Sequence, residues 1–201
     1  MKVKNWAALV ALLLTIAVAA IVAGCGSDDN SATSSGKTAG NPTDRAFVAD
    51  MIPHHRSAVE MAAVAKSEAT SRFVTDLAAD ITRTQNAEIA QMKRVDAQLA
   101  KAGIDKGDLG VDEHAMGMDA DADQLRRAKP FDEEFIAMMV PHHEGAIEMA
   151  RVEIEKGENS ELKKLAEDII SAQEREIRQM RAHAKGETGG AHGGSSGGHS
   201  G

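Results

Sequence analysis

Apolar residues recur along this chain with helical spacing in two long stretches, and the second repeats the first. Phe47, Met51, His54, Ala58, Met61 and Ala65 are separated alternately by four and three residues, and Val48, Ile52, His55, Val59 and Ala62 form a second stripe beside them. Two adjacent stripes of this kind make one broad buried face of an α-helix. They predict a first helix from about Arg45 to Ala65, begun by Thr43-Asp44 as N-cap. The periodicity resumes over about Arg72 to Ala102 with the seam Val74, Ala78, Ile81, Gln85, Glu88, Met92, Val95 and Leu99, and Gly103 suits its C-cap. A third helix, about Glu133 to Lys156 and capped by Asp132, carries Phe135, Met139, His142, Ala146 and Met149. A fourth, about Ser160 to Lys185, carries Leu162, Ala166, Ile169, Gln173, Glu176, Met180 and His183.

The repeat is close. Met51-Ile52-Pro53-His54-His55 returns as Met139-Val140-Pro141-His142-His143, and Ala58-x-Glu60-Met61-Ala62 returns as Ala146-x-Glu148-Met149-Ala150. One offset of 88 residues relates Phe47 to Phe135 (135 − 47) and Gln85 to Gln173 (173 − 85). The pattern therefore predicts an all-α four-helix bundle made of two duplicated helical hairpins, halves about 42–102 and 130–185, joined by a linker over 103–129. Pro53 and Pro141 each remove one backbone hydrogen bond, so a kink is expected one turn upstream of each.

Composition supports helix over sheet: aromatic residues are 2% of the chain, while good helix formers are plentiful. The formal charge of −8 argues against a nucleic-acid partner, because a phosphate backbone needs a basic stripe that the sequence lacks. At the start, Lys2 and Lys4 precede an apolar run from Trp6 to Ala23 that ends in Val22-Ala23-Gly24-Cys25. This is the plan of a secretory signal peptide over 1–24, and the small residues before Cys25 resemble a bacterial lipobox, whose cysteine is lipidated. The run is also just long enough for an uncleaved transmembrane anchor. The lipoprotein reading places the protein outside the cytoplasm, tethered to the membrane through Cys25, with residues 25–41 as a flexible spacer and 186–201 as a disordered Gly/Ser/His tail. Cys25 is the only cysteine, so no intramolecular disulfide forms and no other thiolate is available to a metal.

The candidate chemistry lies in the polar residues of the apolar seams. Met51 is three and four residues before His54 and His55, so the three side chains can approach one point, and Met139, His142 and His143 repeat the arrangement. Glu60 and Glu148 point elsewhere, about 120° around the helix from the first histidine at roughly 100° per residue. Glu88 and Glu176, with Gln85 and Gln173, come from the partner helices, and Met61 and Met149 follow one further along the seam. Imidazole with thioether is a donor set for copper, sulfur favouring Cu(I), whereas calcium or magnesium would want oxygen and zinc gains little from a thioether. His114, Met116 and Met118 in the linker, with His183, His192 and His199, are further residues able to capture metal. Against this stands a structural or partner-binding bundle without metal, in which methionine is core filler and the Glu, Gln and His form a network that sets helix register. A di-iron oxidase would need Glu-x-x-His motifs on facing helices, and neither half has that spacing. No nucleophile with its base is evident, so no catalytic residue is assigned.

The run Phe-x-x-x-Met-x-Pro-His-His-x-x-Ala-x-Glu-Met-Ala, followed by Gln-x-x-Glu-Ile-x-x-Met, resembles the bacterial domain-of-unknown-function family 305 (DUF 305), here in a tandem double form over about Pro42 to Lys185. The resemblance implies a ferritin-like helical bundle and an extracytoplasmic protein concerned with copper binding and tolerance. On that reading copper is carried for sequestration or for delivery to a partner.

Overall fold

The α1 helix (Pro42–Glu68) starts earlier than the hydrophobic pattern suggests, because Asn41 rather than Thr43 or Asp44 is its N-cap. Proline suits the first helical position, where its fixed φ is helical and no N–H is required. The Asn41 carboxamide oxygen then accepts from the backbone N–H of Thr43 (2.9 Å) and Asp44 (3.1 Å), and the Asp44 carboxylate accepts from Asn41 N–H. This reciprocal pair is a capping box. The helix runs on through Pro53 to Glu68. α2 (Arg72–Lys101) follows after a short turn, its N-cap Ser71 accepting from Val74 N–H.

The computed structural model describes residues 39–112, 114–117 and 122–190, with side chains up to 186. The signal segment, Cys25, Met118, His192 and His199 lie outside them. No helix among the described residues is long and apolar enough to cross a membrane.

The linker, expected as one long loop, contains a short helix α3 (Ala122–Arg127), whose Leu125 is fully buried against the bundle. α4 (Phe131–Lys156) begins after Pro130, which offers no side-chain cap. Asp132, the expected N-cap, lies inside the helix and reaches across the bundle instead. α5 (Ser160–Gly190) continues past Lys185 into residues expected to be disordered, since Gly186 does not take the positive φ that would end a helix.

Each hairpin packs on itself, α1 on α2 and α4 on α5, while α1 lies along α4, α2 touches α5 and α3 braces α1 and α4. Asp44 accepts from the N–H groups of Glu158 (3.1 Å) and Asn159 (2.9 Å) in the α4–α5 turn. Asp132 accepts from Thr70 N–H (3.0 Å), the Thr70 hydroxyl (2.7 Å) and Ser71 N–H (2.7 Å) in the α1–α2 turn. The start of α1 thus meets the end of α4, and the start of α4 meets the end of α1, so the two helices are antiparallel. Asp44 and Asp132 are themselves 88 residues apart (132 − 44), and the two straps are copies related by the pseudo-twofold axis of the duplication.

The apolar core falls into two clusters. One holds Met61, Leu77, Ile81, Phe135, Met139 and Met180, the other Phe47, Met51, Met92, Met149, Leu162 and Ile169. Each such side chain contributes about 1.5–3 kcal/mol on full burial.

Candidate metal centre

His54 and His55 are neighbours on α1, so their side chains leave the helix about 100° apart. Both are nonetheless fully buried, because α1 is covered by α4 on one side and by α2 on the other. His54 faces α4, where its ring lies 3.7 Å, centroid to centroid, from that of His142 at an interplanar angle of 32°. His55 faces α2, and its Nε2 is 2.8 Å from Oε2 of Glu88. The second half copies this: His143 Nε2 is 2.6 Å from Oε2 of Glu176 on α5. Ring separations within each pair are 6.2 Å for His54–His55 and 6.4 Å for His142–His143. The four imidazoles therefore form one row through the bundle, with the His54–His142 contact at the pseudo-twofold axis and a glutamate at each end, and among the described residues no three His, Asp or Glu side chains already converge on one point.

Burial and mutual repulsion decide the charge of this centre. Desolvation, then the neighbouring His55, holds His54 down at about 3, and burial followed by the charges of His54 and His143 holds His142 well below the usual imidazole value. Both are neutral at physiological pH, with lone pairs available. A carboxylate only accepts, so in neutral His55 and His143 the proton sits on Nε2 toward Glu88 or Glu176, and Nδ1 keeps its lone pair. Both ring nitrogens of His54 and of His142, and Nδ1 of His55 and of His143, are buried without a hydrogen-bond partner. The Met116 carbonyl approaches His54 closely enough to favour its protonated form, but does not reach hydrogen-bond geometry.

The methionines lie in the two apolar clusters. Met51, Met92 and Met149 are fully buried in one apolar cluster, and Met139, Met180 and Met61 in the other. Each cluster takes its methionine of the His-His motif from one half and its downstream methionine from the other half, because α1 and α4 run antiparallel. Met92 and Met180, which recur 88 residues apart on the seams of α2 and α5 (180 − 92), join them there.

The remaining candidates divide. Gln85 and Gln173 are buried, and their Oε1 atoms have no partner, so they do not join the His–Glu pairs as acceptors. Glu60 and Glu148 are exposed, and Glu148 pairs with Arg151. His114 and Met116 lie in a turn over α4. His183 stacks on Phe73 at 4.2 Å, at the end of the bundle where α2 starts, and is not brought to the four-histidine centre. Sequence reasoning passed over Glu153, a carboxyl with no exposed surface whose match in the first half is Ala65. Burial, then the neighbouring Asp44 carboxylate, raises it to about 9, so it is a neutral acid beside Asp44.

The donor set suits a soft or borderline cation. Neutral imidazoles and thioethers in a water-poor core match monovalent copper or silver, and each His–Glu pair is the carboxylate–histidine arrangement that orients a metal-binding imidazole.

No curated protein matches the chain. Solved structures do. CopM in its Cu(II)-bound form is 35% identical, with a TM-score of 0.61, over 71% of this chain and 96% of that one. CopM in its Cu(I)-bound form is 34% identical over the same shares, with a TM-score of 0.59, and a silver-bound form is equally similar. A DUF305 fragment from Deinococcus radiodurans is 30% identical, covering 71% of this chain and 95% of that one with a TM-score of 0.59. Residues 44–184, both hairpins and the linker between them, match the family described as domain of unknown function DUF305, and the chain belongs to that family.

Proposed function

We propose that the protein is a copper carrier that holds the ion as cargo at the four-histidine centre, outside the cytoplasm and on a lipid tether through Cys25. The observation that carries this reading is the set of unpartnered imidazole nitrogens in a fully buried cluster. A core histidine kept only for register would have its polar atoms satisfied, since each buried group left without a partner costs about 1–3 kcal/mol. A bound cation would take up these lone pairs. CopM, similar over most of its own length, has been solved with Cu(I), Cu(II) and silver, which supports copper as the cargo. The buried thioethers favour Cu(I) for the tightest state. We read the protein as a carrier rather than an enzyme. Asp50, one turn before His54, pairs with Lys106, and its match in the second half is Met138, so this carboxylate is not duplicated as the histidines and the sulfur are.

The test is metal stoichiometry by competition with a chromogenic Cu(I) chelator. Replacing His54, His55, His142 and His143 by alanine is expected to abolish the tightest class of site while far-ultraviolet circular dichroism stays helical. The Met51→Leu, Met139→Leu variant is expected to lose affinity for Cu(I) more than for Cu(II). Undiminished tight binding in the folded quadruple variant would place the cargo elsewhere and make the histidine cluster structural.

A further inference from the structure

The two halves are not equivalent on their outer faces, and the differences cluster. Where the first half has Asp50, Arg56 and Ser57, the second has Met138, Glu144 and Gly145. All three second-half residues face the linker turn at 114–117. Gly145 is buried directly beneath it: a Cβ there would stand 2.0 Å from the Met116 carbonyl oxygen and 2.3 Å from its carbon. Those are backbone atoms, so no side chain could swing away to make room. Gly117, at φ +68°, sits on the next turn of α4, where a Cβ would come within 2.8 Å of the Pro141 carbonyl oxygen and 3.0 Å of His142 Cα. The turn thus lies one residue's thickness from His142, and the Met116 carbonyl faces His54. Beside the turn is a cavity of about 420 Å³ lined by His114, Gly117, Met138, Pro141 and Glu144, among others. Glu144 is also ion-paired with Arg181.

We propose that copper reaches the four-histidine centre through this cavity, meeting His114 and Met138 first and passing under the 114–117 turn to the His54–His142 pair. The inference rests on the copper reading above and adds to it a route and two transfer ligands. Imidazole and thioether at the cavity wall are the same donor types as those inside, so an ion exchanges between like ligands without becoming fully hydrated on the way. Gly145 is what lets the turn seal the route, and Pro141 presents a smooth, exposed rim.

The experiment uses the whole chain. Gly145→Ser restores the residue of the first half and must lift the turn, while Gly117→Ala strains it from the other side and serves where the first variant does not fold. In metal-free protein, diethyl pyrocarbonate labelling read by peptide mass spectrometry should find His54 and His142 shielded in the wild type and labelled about tenfold faster in either glycine variant. With Cu(I) bound, release to the chelator should speed up by about the same factor at unchanged stoichiometry. His114→Ala with Met138→Leu should instead slow uptake. Labelling equally slow in all variants, or uptake unaffected by loss of His114 and Met138, overturns the route alone. A wild-type protein that takes up no Cu(I) overturns the copper reading and the route with it.

Discussion

An imidazole buried without a partner is costly, and this protein keeps two such rings in contact at its centre, with Glu88 and Glu176 at either end. The glutamates are the groups through which a point change acts on the centre without removing a ligand. Each orients its histidine through Nε2 and leaves Nδ1 as the ring nitrogen without a partner. Glu88→Gln and Glu176→Gln keep the size and the burial but remove the charge. Together they are expected to lower Cu(I) affinity by about 10- to 100-fold with the helical content unchanged, measured by chelator competition. Unaltered affinity would mean that the glutamates serve packing only. At this scale much was legible in sequence: polar residues at seam positions announce a buried polar centre because burial without purpose is disfavoured. Glu153 was not legible, since a glutamate near a helix end ordinarily faces water and only its distance from Asp44 reveals it as a neutral acid.

Between elements, the Asp44 and Asp132 straps hold each hairpin to the turn of the other. Both carboxylates accept several backbone N–H bonds, and Asp132 titrates below its ordinary value: burial raises it, but the bonds from Thr70 and Ser71 outweigh that. Asp132→Ala would leave two turn N–H groups and a hydroxyl without their acceptor, and is expected to cost about 2–4 kcal/mol in denaturant unfolding. Glu153 acts with the opposite sign. Its folded value of about 9 lies above the ordinary 4.5, so between these pH values the unfolded chain binds fewer protons and stability falls as pH rises. Glu153→Gln keeps the size and cannot ionise. It is expected to flatten the pH dependence of the melting temperature across that window and to melt higher than the wild type near its upper end. A wild-type slope preserved in the variant would show that Glu153 is not the group responsible. The sequence placed both aspartates beside helix starts, where capping is the ordinary use of such a residue. That they cap the partner hairpin depends on two turns more than sixty residues from Asp132 and more than a hundred from Asp44 in the chain.

For the whole molecule, the reading as a tethered carrier depends on Cys25. The Cys25→Ala variant is expected to remain unprocessed or to leave the membrane fraction, followed by fractionation and by the mass of the mature N-terminus. Processing and membrane attachment identical to the wild type would remove the lipid tether from the account and leave the uncleaved anchor. The acidic surface, −8 overall, raises the local concentration of a cation and steers it toward the domain, an effect that weakens as ionic strength rises.

Local spacing settled what local physics governs. The 3.6-residue period, the turn residues and the 88-residue offset determined that the chain is helical, that it is a duplicated pair of hairpins and that His54, His55, His142 and His143 face inward with Met51 and Met139. How those hairpins meet is a different matter, because an offset states equivalence and not contact. Only the tertiary structure decided that α1 and α4 run antiparallel, and that the histidine pairs therefore merge at a shared axis 3.7 Å apart. The same packing crossed the methionines between halves and laid one linker turn over one face of a symmetric centre. These outcomes rest on burial and contact between residues distant in the chain, and no window of sequence contains both partners.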